Sequence, residues 1–203
     1  MFRGDHPALT RGMGQARVVA GGLGHPRVGS EHLLLALAAE GMLPGVTAYG
    51  VREAAQLAAP LGAGIAADRE ALAPLGVDLD ALLDRLGAQG VDRPVRPERR
   101  PGAQRAQRRC ARTVPALGLD AQAAYDVSLR LALARRERWH RPEHLAMALV
   151  ALDPGAGWVL RAVGAEAGMV LAEPARAFPP RRNRVLRAER RIGRQARGWP
   201  AGA

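Results

Sequence analysis

Glu31-His32-Leu33-Leu34-Leu35-Ala36-Leu37-Ala38-Ala39 recurs as Glu143-His144-Leu145-Ala146-Met147-Ala148-Leu149-Val150-Ala151. Six of the nine positions are identical, and the other three exchange apolar residues. Ala and Leu coincide readily in this composition. The Glu-His pair does not, because the chain holds only five His. Self-similarity of this kind marks a duplicated supersecondary unit. Each copy reads as the start of a helix. Gly29 and Ser30 suit a cap and Pro142 suits a first helical turn. Glu31 and Glu143 then fall at the positive ends of their helices. Leu33 and Leu37, like Leu145 and Leu149, lie one turn apart and face a core.

Working outward, a helical run precedes each copy, over 7–21 and 120–138, the second with Tyr125, Leu129 and Ala132 on one face. A further run follows each and ends at Gly76 or Gly164, where glycine suits the left-handed turn beyond a helix. A last helix is expected over 79–87 and about 167–178. Glu31 and Glu143 are 112 residues apart but Gly76 and Gly164 only 88, so the first copy holds 24 more residues between its second and third helices. They lie within 42–69, where an extra helix near 51–59 and a flexible connection are expected.

The chain has 203 residues and a net charge of +11. All 30 basic residues are Arg, which with abundant Ala fits a GC-rich genome. The charge is uneven. Residues 93–112 carry eight Arg and one Glu, and 181–197 again eight Arg and one Glu, while the rest holds 14 Arg against 17 acids. The first stretch also contains Pro94, Pro97, Pro101 and Gly102. With few large apolar residues it cannot offset its ordering entropy, so 89–113 reads as a mobile linker with a short helix near 104–112. The second follows Pro179-Pro180 and reads as a helix over 183–195, with Val185, Leu186 and Ile192 on an apolar stripe too thin to fold alone but suited to docking on the body or on a partner. Two Ile, three Thr and seven aromatic residues leave few strand formers, so the fold class is all-α.

Without Lys there is no Walker A loop and no Schiff-base chemistry. The lone Cys110 forms no intrachain disulfide or thiolate cluster; beside Arg108, Arg109 and Arg112 it reads as an incidental exposed thiol, with a redox role as the alternative. Ser30 and Ser128 lack a nucleophile elbow, and the histidines lack His-x-x-x-His spacing. No enzyme activity, cofactor or metal is expected. The N-terminus has no signal-peptide h-region and no apolar run reaches membrane-spanning length, so a cytoplasmic protein without membrane contact is expected.

The stretch from Leu23-Gly24-His25 through Gly29-Ser30-Glu31-His32-Leu33, together with Arg141-Pro142-Glu143-His144-Leu145, resembles the signature of the Clp N-terminal repeat family. The resemblance implies two four-helix Clp repeats related by a pseudo-twofold axis. The expected layout is repeat 1 over 5–88, linker 89–113, repeat 2 over 114–178 and a basic tail over 179–203. Such domains usually sit at the N-terminus of Clp AAA+ unfoldases and receive substrates and adaptors. No ATPase module is present here, and Glu137 and His140 stand where the first copy has His25 and Val28.

Some ClpC-type domains of the family bind phosphorylated arginine through the Glu of each motif. The resemblance therefore marks Glu31 and Glu143 as guanidinium ligands, with Phe2 on the ligand surface. The same glutamates equally suit a helix N-terminus. His32 and His144, with Gly76 and Gly164, are implied to be structural. The expected function is a stand-alone, non-catalytic module that binds a Clp unfoldase, adaptors or substrate polypeptides. The alternative is nonspecific binding of nucleic acid or acidic surfaces through the Arg-rich segments. The oligomeric state is left open.

Overall fold

The computed structural model of the chain describes residues 2–58, 62–86, 102–104, 108 and 114–177. Among them it is all helical, with two isolated bridges and no strand. The helices are α1 (Pro7–Gly22), α2 (Ser30–Ala39), α3 (Ala48–Leu57), α4 (Ala63–Leu72), α5 (Leu79–Leu86), α6 (Leu119–Ala134), α7 (Pro142–Leu152), α8 (Pro154–Ala162) and α9 (Ala167–Ala177). A short 3₁₀ turn, Ala73–Leu75, extends α4 to Gly76. Most of the Arg-rich linker, Cys110 and the basic tail lie outside the described residues.

Two helices form the centre. Every residue of α2 from Ser30 to Ala38 is buried, and seven of the eleven in α7 are. Helices apolar on all sides belong inside. α1 packs on α2 through Leu9, Met13, Ala16 and Ala20, spaced for one face. α6 packs on α7 in the same way, and α4 lies against α8. Small side chains permit that last approach. A Cβ on Gly155 of α8 would stand 2.5 Å from Ser30 Oγ and 2.8 Å from the Gly64 nitrogen.

The segments ahead of the helices cross over. Asp5 bridges to His140 and Val28 to Leu117, both in parallel. Asp5 and Leu117, like Val28 and His140, stand 112 positions apart, the separation of Glu31 from Glu143. Gly76 and Gly164 have φ of 72° and 70° and end the α4 and α8 segments.

Four expectations shift. The extra helix runs over Ala48–Leu57, earlier than 51–59, because the Thr47 hydroxyl accepts the Gly50 N–H at 3.1 Å and starts it there. α6 stops at Ala134 because Arg136 turns left-handed, at φ 57°. α9 packs on α7, whereas the matching side of α2 carries α3 and α5 rests on α4, with Arg69 paired to Asp80 at 2.6 Å. Finally, Ala103, expected within a mobile linker, is buried in the core. Gly102 makes room for it, since a Cβ there would meet the Phe2 carbonyl at 2.9 Å.

Candidate functional site

The two Glu-His-Leu helices begin with the same local chemistry. The imidazole of His32 reaches back from the third helical position, and its Nδ1 accepts the Gly29 N–H at 2.9 Å. His144 does so for the Arg141 N–H at 3.1 Å. This is the returning half of a capping box, with His in place of Glu or Gln. An accepting Nδ1 requires a neutral ring carrying its hydrogen on Nε2. Burial holds His32 down to about 4, with His25 adding to the effect. Burial, then His140 and Arg135, holds His144 down to about 4.

The two glutamates differ. The Glu31 carboxylate is enclosed at 1% exposure and folds back over Gly29, and its Oε2 accepts the Ala63 N–H that opens α4 at 3.3 Å. Asp120 Oδ2 accepts the Ser30 N–H at 2.8 Å, and Asp153 Oδ1 accepts the Ala156 N–H at 2.7 Å. Three carboxylates thus serve the first turns of α2, α4 and α8, where unpaired amides favour negative charge. Burial pushes Glu31 up to about 7, with Asp120 and Asp153 pushing the same way. Burial also raises Asp153. The 112-residue counterpart of Ser30 is Pro142, which has no N–H, and that of Asp120 is Ala8.

Glu143 stays accessible. It lines a cavity of about 180 Å³ between the starts of α1 and α7 and the side of α2. Leu9, Leu33, Leu37 and Met42 supply apolar wall; Glu40, His6 and Arg141 supply polar groups. Glu143 as a residue is half-exposed, and its enclosed Oε2 accepts no hydrogen bond among the described residues. A carboxylate half-exposed on such a wall suits a guanidinium entering the cavity. Phe2 lies outside the walls of this cavity, half-buried against the core and residue 102.

One constellation escaped the sequence. Ser128 Oγ lies 2.8 Å from His140 Nε2, His140 Nδ1 lies 2.9 Å from Asp5 Oδ1, and the Tyr125 hydroxyl donates to both Asp5 oxygens at 2.8 and 2.9 Å. The order is that of a Ser-His-Asp triad. Ser128 and His140 are fully buried, however, and the Ser128 hydroxyl donates to the Tyr125 carbonyl at 2.7 Å. Neither residue lines the Glu143 cavity, so the group is a buried clasp. A second cluster, His25, Glu31 and His32, brings ligand-type atoms within 4.8 Å of one another. His32 Nδ1 is already engaged by Gly29, which leaves two of the three for a metal as folded.

An all-α domain built around two central Glu-His-Leu helices, with crossed leading segments, has the fold of a Clp N-terminal domain. The chain is similar to the crystal structure of the N-terminal domain of the caseinolytic protease associated chaperone ClpD from Arabidopsis thaliana. The two share 18% identity with a TM-score of 0.53, over 86% of this chain and 94% of that one. No protein-family model matches the chain, and no curated protein matches it significantly. Among the described residues no single helix is long and apolar enough to cross a membrane.

Proposed function

We propose that this protein is a non-catalytic polypeptide-binding module associated with Clp unfoldases, and that the Glu143 cavity receives a guanidinium side chain of an adaptor or substrate. The observation that carries this reading is the half-exposed Glu143 on the wall of an apolar cavity, where its counterpart Glu31 is enclosed. The apolar wall suits the aliphatic stem of an arginine and the carboxylate suits its head. His6 and Arg141, on the same wall, supply donors for an anionic group such as the phosphoryl of phosphoarginine. Glu31 acts in this reading as the acceptor for α4, and Phe2 as cover for the N-terminal segment.

Titration calorimetry with arginine-, phosphoarginine- and lysine-bearing peptides tests it. The two arginine forms are expected to bind, and Glu143→Gln to weaken them at least about tenfold, the loss of one charge-assisted contact. Equal binding of the lysine peptide, or unchanged binding by Glu143→Gln, would overturn the reading. Native pull-down is expected to recover a Clp subunit, adaptor or substrate. The two Arg-rich stretches favour nonspecific nucleic-acid binding as a second reading, and filter binding that does not weaken with salt would reject it.

A further inference from the structure

We propose that the groove between α4, α6, α7 and α8 is a docking site for the chain's own C-terminal segment, residues 181–197. The groove has a volume of about 330 Å³. Leu119, Val127 and Leu152 lie along it, 42%, 36% and 67% exposed, large apolar side chains left to solvent on one face. Asp68, Asp120 and Asp153 also line it, and among the described residues neither Arg nor His does. In a chain carrying 30 Arg and a net charge of +11, such a surface calls for a basic, partly apolar occupant.

Residues 181–197 have that composition: eight Arg and one Glu around Val185, Leu186 and Ile192. The segment follows α9, which packs on α7, the helix that gives Ala148 and Leu152 to the groove. Val185 and Ile192 follow Ala177 by 8 and 15 residues, extended spans of ~28 and ~50 Å, so these apolar positions have reach across much of a domain of this size. Asp120 and Asp153 each give an oxygen to a helix amide, which leaves Asp68 as the carboxylate most open to a guanidinium. The site is separate from the Glu143 cavity and does not depend on what that cavity binds.

The test uses the full chain with Cys110→Ser and Gln195→Cys, a nitroxide on the new thiol, and amide signals read by NMR. Intramolecular docking predicts selective broadening of Ala123, Val127, Ala148 and Leu152 at low salt, fading at about 1 M salt, where the screening length falls to ~3 Å. Leu152→Arg is expected to abolish the broadening without disturbing the rest of the spectrum, since that side chain is largely exposed. Triple replacement of Val185, Leu186 and Ile192 by Asp is expected to abolish it from the other side. Broadening centred on another surface, no selective broadening, or persistence in Leu152→Arg would overturn the proposal. So would broadening that appears only between nitroxide-bearing and isotope-labelled chains mixed together, which places the segment on a second copy. None of these readouts uses a ligand of Glu143, so either reading can fail alone.

Discussion

Asp5 and His140 are joined twice. Their segments bridge in parallel, with His6 N–H donating to the His140 carbonyl at 2.7 Å and His140 N–H to the Gly4 carbonyl at 2.9 Å, and their side chains meet at 2.9 Å. The residues 112 positions away, Leu117 and Val28, make the other bridge with apolar side chains, and Tyr125 and Ser128 answer to Met13 and Ala16. The molecule thus closes one crossing with a polar clasp and the other with hydrocarbon.

That contrast sets a prediction. Asp5→Ala strands the Tyr125 hydroxyl and His140 Nδ1, and is expected to cost ~2–4 kcal/mol in urea unfolding. Replacing all four at once by their counterparts (Asp5→Leu, Tyr125→Met, Ser128→Ala, His140→Val) removes every partner together and is expected to recover most of that loss. A quadruple variant less stable than Asp5→Ala would show that the clasp does more than close the crossing.

Glu31 and the capping histidines set opposite pH trends. Folded Glu31 keeps its proton up to about 7, against an ordinary 4.5. Its stabilisation is complete below the ordinary value and is lost as pH rises through about 7. His32 and His144 stay neutral down to about 4, against 6.5 when unfolded. Their contribution is therefore lost as pH falls from the unfolded value toward the folded one. Glu31→Gln keeps an acceptor for Ala63 without the charge. It is expected to gain on the order of 1 kcal/mol near pH ~8 and nothing near pH ~4. Denaturant midpoints at the two pH values measure this, and an equal gain at both would remove burial of the charge as the cause.

The crossing of α4 and α8 is decided by missing methyl groups. Gly155→Ala puts a Cβ 2.5 Å from Ser30 Oγ and 2.8 Å from backbone nitrogen, and is expected to destabilise by ~1–3 kcal/mol. Gly157→Ala in the same helix meets only the tip of Arg161 at 3.8 Å, and is expected to stabilise by ~0.5–1 kcal/mol through helix propensity. Thermal melts of both variants against the parent separate steric closeness from propensity.

Legibility followed the range of the interactions. The central helices were readable because their caps, apolar runs and terminal glycines act within one or two turns, as at Gly29–His32 and at Gly76. The clasp was not, because Asp5 reaches His140 and Tyr125 from 135 and 120 positions away, with no local pattern. Asp120 looked like an ordinary first-turn acid, and only the fold shows that it serves Ser30, 90 positions away. For the candidate site, the Glu-His pair marks the two glutamates by position only. Which one stays open depends on α4 arriving over Glu31, where Ala63 takes its carboxylate, and no spacing encodes that.

The end of α6 shows what a single side chain conceals. After α1, Gly24 takes φ 72° and the His25 N–H returns to the Ala20 carbonyl at 2.9 Å; after α6, Arg136 takes φ 57° and the Glu137 N–H returns to Ala132 at 3.0 Å. The backbone turn is the same, with Arg where the first half has Gly, so the sequence reads on as helix toward 138. An L side chain in this region costs roughly 1 kcal/mol, partly offset by the unfolded-state freedom that glycine adds. Arg136→Gly is expected to stabilise by ~0.5–1 kcal/mol, raising Tm by ~2 °C. Gly24→Ala has open space around its new Cβ and is expected to lose ~1 kcal/mol from backbone strain alone. Opposite signs for the two variants in thermal melts support this account. Destabilisation by Arg136→Gly would instead mean that the Arg136 side chain makes a contact worth more than the strain.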